Sequence, residues 1–351
     1  MLHRDVQACE ERHALSSVKN RLRVVFFYRK PRPGHHYSIE RLFDAVSDAL
    51  PEERYEIRRL VCPFVSKGVI RRLLLMIWAA LNQGDINHVT GDVNFLGLLM
   101  RRSRTVLTIL DSASMLRLTG LRRWLYSWIW LRFPVMRAGQ VTVISEASLQ
   151  ETLEYCGERA AQFRVIPCCL TGNLTPSNKS FISQQPRILQ VGTKNNKNLE
   201  RVIEALAGVP CKLVVVGPLS SSQVCMLKDL SIVYENYINL DDEGIATQYR
   251  LTDIVVFAST YEGFGLPILE AQAVGRAVVT SSRAPMDKVA GAGAALVNPE
   301  SVESIRDAVK KIVNDEIYRD QLIAAGFENV RKYSPEAVAA EYAAVYEMLA
   351  G

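Results

Sequence analysis

The stretch YEGFGLPILEAQAVG at residues 261–275 decides how the rest of the chain is read. Pro267 suits the first turn of a helix, where its missing N–H costs nothing, and Gly275 fits just past the end of that helix. Ile268, Leu269 and Ala271 carry the helix inward, so Glu262 lies in a loop and Glu270 on the helix after it. Gly263 and Gly265 let the loop backbone come close to a ligand. The first amides of the helix are unpaired at the positive end of its dipole, where an anion docks. Taken alone, two glutamates flanking a helix start also serve as capping charges.

Upstream, DIVVFAS reads as the buried strand feeding this loop, and the same alternation extends in both directions. RILQVGT reads as a strand, LERVIEAL as a helix, KLVVVG as a strand and EGIATQYR as a helix. Earlier in the chain, strand candidates at residues 22–28, 55–61, 86–89, 105–109 and 140–143 alternate with helical stretches near 69–81, 121–131 and 146–155. Alternation of this kind predicts parallel, doubly wound sheets, with ligands outside the carboxyl ends of the strands. Residues 168–186, CCLTGNLTPSNKSFISQQP, are rich in Ser, Asn, Thr and Pro and mark the domain boundary. The expected organisation is a polar leader (1–20), a first Rossmann-like domain (21–170), a linker (171–186), a second Rossmann-like domain (187–333) and a terminal helix (334–351).

At 351 residues, 48% hydrophobic and 23% charged, the chain supports two full cores and is not disordered. The polar start has no apolar h-region and no run of about 18 apolar residues occurs, which predicts a cytoplasmic protein. Seven cysteines without paired CxxC spacing fit neither a zinc site nor a disulfide framework. Residues 1–170 hold 25 Lys+Arg against 16 Asp+Glu, leaving 17 against 21 for the remainder. The densest basic stretch, residues 101–137, carries eight arginines opposed only by Asp111 and interleaved with aromatic residues, which suits peripheral contact with anionic headgroups on the inner face of a membrane. The same stretch also reads as a helix with Leu121, Trp124, Leu125 and Trp128 facing a core and the arginines in water.

VGTKNNKNLERVIEAL, from Val191, sets a glycine turn and two lysines ahead of a helix, at the same strand ends as the Glu262 loop. Lysine is an effective point-charge partner for phosphate. Together these residues resemble the donor site of retaining GT-B glycosyltransferases of the group 1, family 4 type. That resemblance implies an α/β fold of two Rossmann-like doubly wound domains facing each other across a cleft. It implies that Glu262 and Lys197 act at the transferred sugar and the diphosphate. Glu270 would hold the ribose, with Gly263, Phe264, Gly265, Leu266, Gly192, Thr193, Lys194, Gly34 and Asp111 as further donor contacts. Many relatives carry His-Asp at the turn after the fourth strand, whereas this chain has Leu110 before Asp111; His88, His35 and His36 are other imidazoles of the first domain.

The implied function is hexose transfer from a nucleotide diphosphate sugar to a hydroxyl of a glycan or lipid-linked acceptor. No metal and no cofactor besides the donor substrate is expected, and no nucleic acid partner. A catalytically silent nucleotide-sugar-binding subunit and a nucleotide-sugar epimerase of the same architecture stand as alternatives. A dinucleotide oxidoreductase is disfavoured, because neither domain's first strand is followed by GxGxxG.

Overall fold

The computed structural model describes residues 21–31, 38–110, 119–157, 163–172 and 174–351, with backbone only for 121 and 122. It divides into two compact units, Met1–Cys169 with Pro335–Gly351, and Leu170–Ser334. Among the described residues each unit is built on one parallel six-stranded sheet.

The first sheet comprises β1 (Leu22–Tyr28), β2 (Tyr55–Val61), β3 (Ile86–Val89), β4 (Thr105–Ile109), β5 (Gln140–Val143) and β6 (Arg164–Val165), in the order β2-β1-β3-β4-β5-β6. Every residue of β3 and β4 is buried, as a parallel strand covered on both faces requires. Among the described residues the α-helices of this unit are α1 (Ser38–Asp48), α2 (Val69–Leu81), α3 (Gly120–Ser127), α4 (Phe133–Arg137), α5 (Glu146–Cys156) and the C-terminal helix (Pro335–Ala350).

The helix expected over 121–131 runs on to Arg137 through a π-helical turn, Trp128–Arg132, between α3 and α4. Pro134 explains the turn. It has no N–H for the carbonyl of Trp130, so the ladder widens and the Phe133 amide bonds the Trp128 carbonyl instead. The freed Trp130 carbonyl accepts from Asn94 Nδ2 at 3.0 Å. The expected inward face is corrected here as well. Trp124 and Leu125 are 55% and 46% exposed, and the core is met by Leu131 and Val135.

The C-terminal helix is held to this sheet by a buried polar chain. His88 on β3 hydrogen-bonds Tyr346 Oη through Nδ1 at 2.7 Å and Thr108 Oγ1 through Nε2 at 2.8 Å, and Thr108 Oγ1 reaches Thr142 Oγ1 at 2.7 Å. Phe26, Phe43, Tyr342 and Tyr346 surround the imidazole with ring contacts. Burial among them pushes the His88 imidazole down to about 3.

The second sheet comprises β7 (Arg187–Val191), β8 (Lys212–Val216), β9 (Tyr234–Tyr237), β10 (Ile254–Phe257), β11 (Ala277–Ser281) and β12 (Ala295–Val297), in the order β12-β11-β10-β7-β8-β9. Helices α6 (Leu199–Leu206), α7 (Ser221–Asp229), α8 (Asp242–Leu251), α9 (Leu266–Val274), α10 (Met286–Ala290), α11 (Val302–Asn314) and α12 (Glu316–Val330) flank it. The chain winds outward from β7 to β8 and β9, then returns to place β10 on the other side of β7. The loops leaving β7 and β10 therefore diverge at the point where strand order reverses, the usual ligand position in such sheets.

Candidate active site

Both loops at that reversal carry the residues singled out from sequence. Leaving β7, the chain turns at Gly192, with φ of 91°, and a Cβ there would fall 3.0 Å from the Lys197 side chain. The close approach lets Lys197 fold back over the strand ends, its Nζ 4.6 Å from the centre of the Phe257 ring. From there it forms an ion pair with Glu262 at 2.8 Å, the two side chains being 20% and 14% exposed. Asn196 Nδ2 donates to the same carboxylate at 3.2 Å and to the Tyr261 carbonyl at 3.0 Å.

Several side chains fix this geometry from below. The buried Gln190 on β7 donates through Nε2 to the Lys197 carbonyl at 2.9 Å. Asn198 takes a left-handed conformation, with φ of 60°, and its amide donates to the carbonyls of Ala258 and Pro299 at 2.9 and 2.6 Å. The Thr260 amide bonds the Asn196 carbonyl at 2.8 Å, stitching the two loops together. These anchors were not legible as a group in the sequence. Asn196 and Asn198 lie inside the KNNKN run, but nothing there tells their partners.

The second loop ends at Gly265, with φ of 119°, and α9 begins at Leu266 with Pro267 in its first turn. No side chain caps this end; Pro267 has no N–H and the Ile268 amide donates to the Gly265 carbonyl at 3.0 Å, so the loop side meets the positive end of the α9 dipole and the Leu266 amide. Phe264 is turned inward, its ring 5.9 Å from that of Tyr333, which leaves the backbone at this position for a ligand. Glu270 is half-buried on α9 and accepts a 2.5 Å hydrogen bond from the hydroxyl of Tyr249 on α8. Burial and the Glu270 carboxylate hold the Tyr249 phenol well above its ordinary value, so it stays protonated and donating.

The remaining candidates divide. Thr193 Oγ1 donates to the Pro218 carbonyl at 2.6 Å, and its own carbonyl accepts from Gln223 at 3.1 Å, so it braces the loop. Lys194 is exposed, and its backbone carbonyl accepts from the Lys197 amide at 2.7 Å. Gly34, Asp111, His35 and His36 lie outside the described residues. Leu110 packs against Gly91, where a Cβ would meet it at 2.7 Å. His88 sits in the core beneath the C-terminal helix. Among the described residues no group of three His, Cys, Asp or Glu side chains gathers as a metal site.

Two parallel sheets, with a lysine–carboxylate pair and an open helix N-terminus at the strand reversal of the second, define the GT-B class of glycosyltransferase folds. A solved structure from Anabaena, HepE in complex with UDP and glucose, superposes with a TM-score of 0.75 over 93% of this chain and 99% of that one, at 16% identity. The family model for glycosyl transferases group 1 matches residues 175–329, all of them within the second unit. The serotype-specific mannosyltransferase WbdA of Escherichia coli is 25% identical over 224 residues, 56% of this chain and 27% of that protein. An O-antigen chain mannosyltransferase B of Escherichia coli is 30% identical over 118 residues, 34% of this chain and 30% of that protein. The chain thus spans about a quarter to a third of the length of these curated relatives.

Proposed function

We propose that the chain is a retaining glycosyltransferase that moves a hexose from a nucleotide diphosphate sugar to a hydroxyl of a glycan or lipid-linked acceptor. The observation that carries this reading is the pairing of Lys197 with Glu262 at 2.8 Å beside the uncapped start of α9. Phosphate charge grows as the bond from the sugar's anomeric carbon to the diphosphate breaks. Lys197 and the positive end of the α9 dipole are fixed charge and dipole aimed at that growth, and they need no metal to meet it. The Lys197 ammonium has three donors, so it serves Glu262 and a phosphate oxygen together. The acceptor oxygen attacks from the face the diphosphate leaves, and the departing phosphate takes the acceptor's proton. Glu262 then holds the transferred sugar, and Glu270, oriented by Tyr249, binds the ribose.

The relatives named as mannosyltransferases make a nucleotide diphosphate mannose the first donor to test, and the HepE complex makes UDP-glucose the second. Calorimetry with UDP, GDP, ADP and these conjugates in EDTA should return one micromolar binder, followed by transfer with retained anomeric configuration. Binding without turnover on any acceptor would favour the silent-subunit reading, to which Leu110 lends itself because its side chain offers no hydrogen bond.

The two glutamates separate in their effects. Glu270→Gln keeps an acceptor for the buried Tyr249 hydroxyl while removing the charge, and nucleotide affinity should fall about 10- to 100-fold. Glu262→Ala should lower kcat about 100-fold and leave nucleotide affinity within about threefold. Equal small losses from both would count against this division of roles.

A further inference from the structure

On the first unit, α2 turns a row of apolar side chains to water. Ile70, Leu74, Ile77 and Leu81 recur at spacings of four, three and four and are 75%, 51%, 50% and 80% exposed, while Leu75 and Ala79 on the opposite face are buried. The α3–α4 run presents a second row, with Trp124, Ile129, Phe133 and Met136 39–55% exposed. The two helical runs cover one hydrophobic core, to which α2 contributes Leu75 and Ala79 and the other run Leu131 and Val135. They are tied directly by the Arg72 guanidinium, stacked 4.7 Å over the Trp130 ring.

Scattered exposed apolar residues are ordinary, but two helical rows on one face are not. The charge around them is one-sided. Across residues 62–84, 93–110 and 119–140 the sequence has ten lysine and arginine residues and no aspartate or glutamate. That imbalance selects the occupant. A two-fold dimer through this face would set the same cationic patch against itself. A surface of anionic headgroups neutralises the arginines while the apolar rows and Trp124 enter the acyl boundary.

We propose that this face docks the protein peripherally on anionic lipid bilayers, with α2 and the α3–α4 run lying in the plane of the headgroups. The inference is independent of the transfer chemistry proposed for the second unit, and either can fail alone. The full chain is incubated with vesicles of phosphatidylcholine alone or with about 30% phosphatidylglycerol, and partitioning is read by flotation. Partitioning should favour the anionic vesicles by about tenfold or more, fall at high salt, and be accompanied by a blue shift of tryptophan emission. The triple variant Ile70→Gln, Leu74→Gln, Ile77→Gln should lose about tenfold in binding, and Arg71→Glu with Arg101→Glu and Arg102→Glu should abolish it. All six side chains are exposed, so melting curves should match those of the parent.

Equal partitioning into neutral and anionic vesicles, or none into either, would overturn the proposal. So would unchanged binding in both variants. A dimer in solution that the apolar triple variant returns to monomer would assign the face to a second copy instead.

Discussion

Replacing Lys197 by alanine is expected to lower kcat/KM for sugar transfer about 10³-fold, close to 4 kcal/mol of transition-state stabilisation. Lys197 is a cation that the structure brings onto the β7 and β10 strand ends, and its aliphatic stem lies close to Gly192. Lys194, three residues earlier, is exposed, and Lys194→Ala should stay within about threefold of the parent. A double-mutant cycle separates the two jobs Lys197 has. If it only holds Glu262, adding Lys197→Ala to Glu262→Gln costs nothing further. If it stabilises the departing phosphate, the second substitution costs a further factor of about ten or more. The measurement is steady-state transfer at saturating acceptor, with circular dichroism to confirm that each variant is folded.

Acid should destabilise the first unit through one residue. His88 is neutral in the fold, with burial holding its imidazole down to about 3 against about 6.5 in the unfolded chain. Between those values the unfolded chain binds the proton and the folded one does not, so stability is fully present above pH about 6.5 and falls as pH drops towards 3. The full span is worth about 5 kcal/mol, larger than most single substitutions. All four tryptophans, at 78, 124, 128 and 130, belong to the first unit, so tryptophan emission follows its unfolding separately from that of the second. Urea midpoints read this way should decline from pH 7 to 4, and the decline should shrink in His88→Gln. An undiminished decline in the variant would assign the acid sensitivity to carboxylates elsewhere.

How much of this was legible beforehand depended on how local the signal was. Strands buried on both faces spell themselves as apolar runs, and Leu22–Tyr28, Lys212–Val216 and Ile254–Phe257 are where such runs lie. The loop and helix start at Glu262 were equally plain, because Gly265, Pro267 and Gly275 each answer a backbone need within a few residues. The Tyr249–Glu270 and Asn198–Pro299 contacts were not, since their partners lie 21 and 101 residues apart and meet only through the sheet. The π-helical turn needed Asn94 as well as Pro134, and only the first fold unit brings Asn94 to the Trp130 carbonyl. The outward row on α2 escaped for a different reason. VIRRLLLMIWAAL is apolar almost all round, and periodicity cannot tell which side of such a helix is covered.

The C-terminal helix belongs to the unit whose strands come earlier in the chain, while the whole second unit is an uninterrupted segment between. During synthesis the second unit has all its strands available before the first has its last helix. The first waits, with Phe26, Phe43 and His88 lacking the Tyr342 and Tyr346 that cover them, until residues 335–350 emerge. The earlier-made half is therefore the later to finish, and the interval is when a chaperone would find it open.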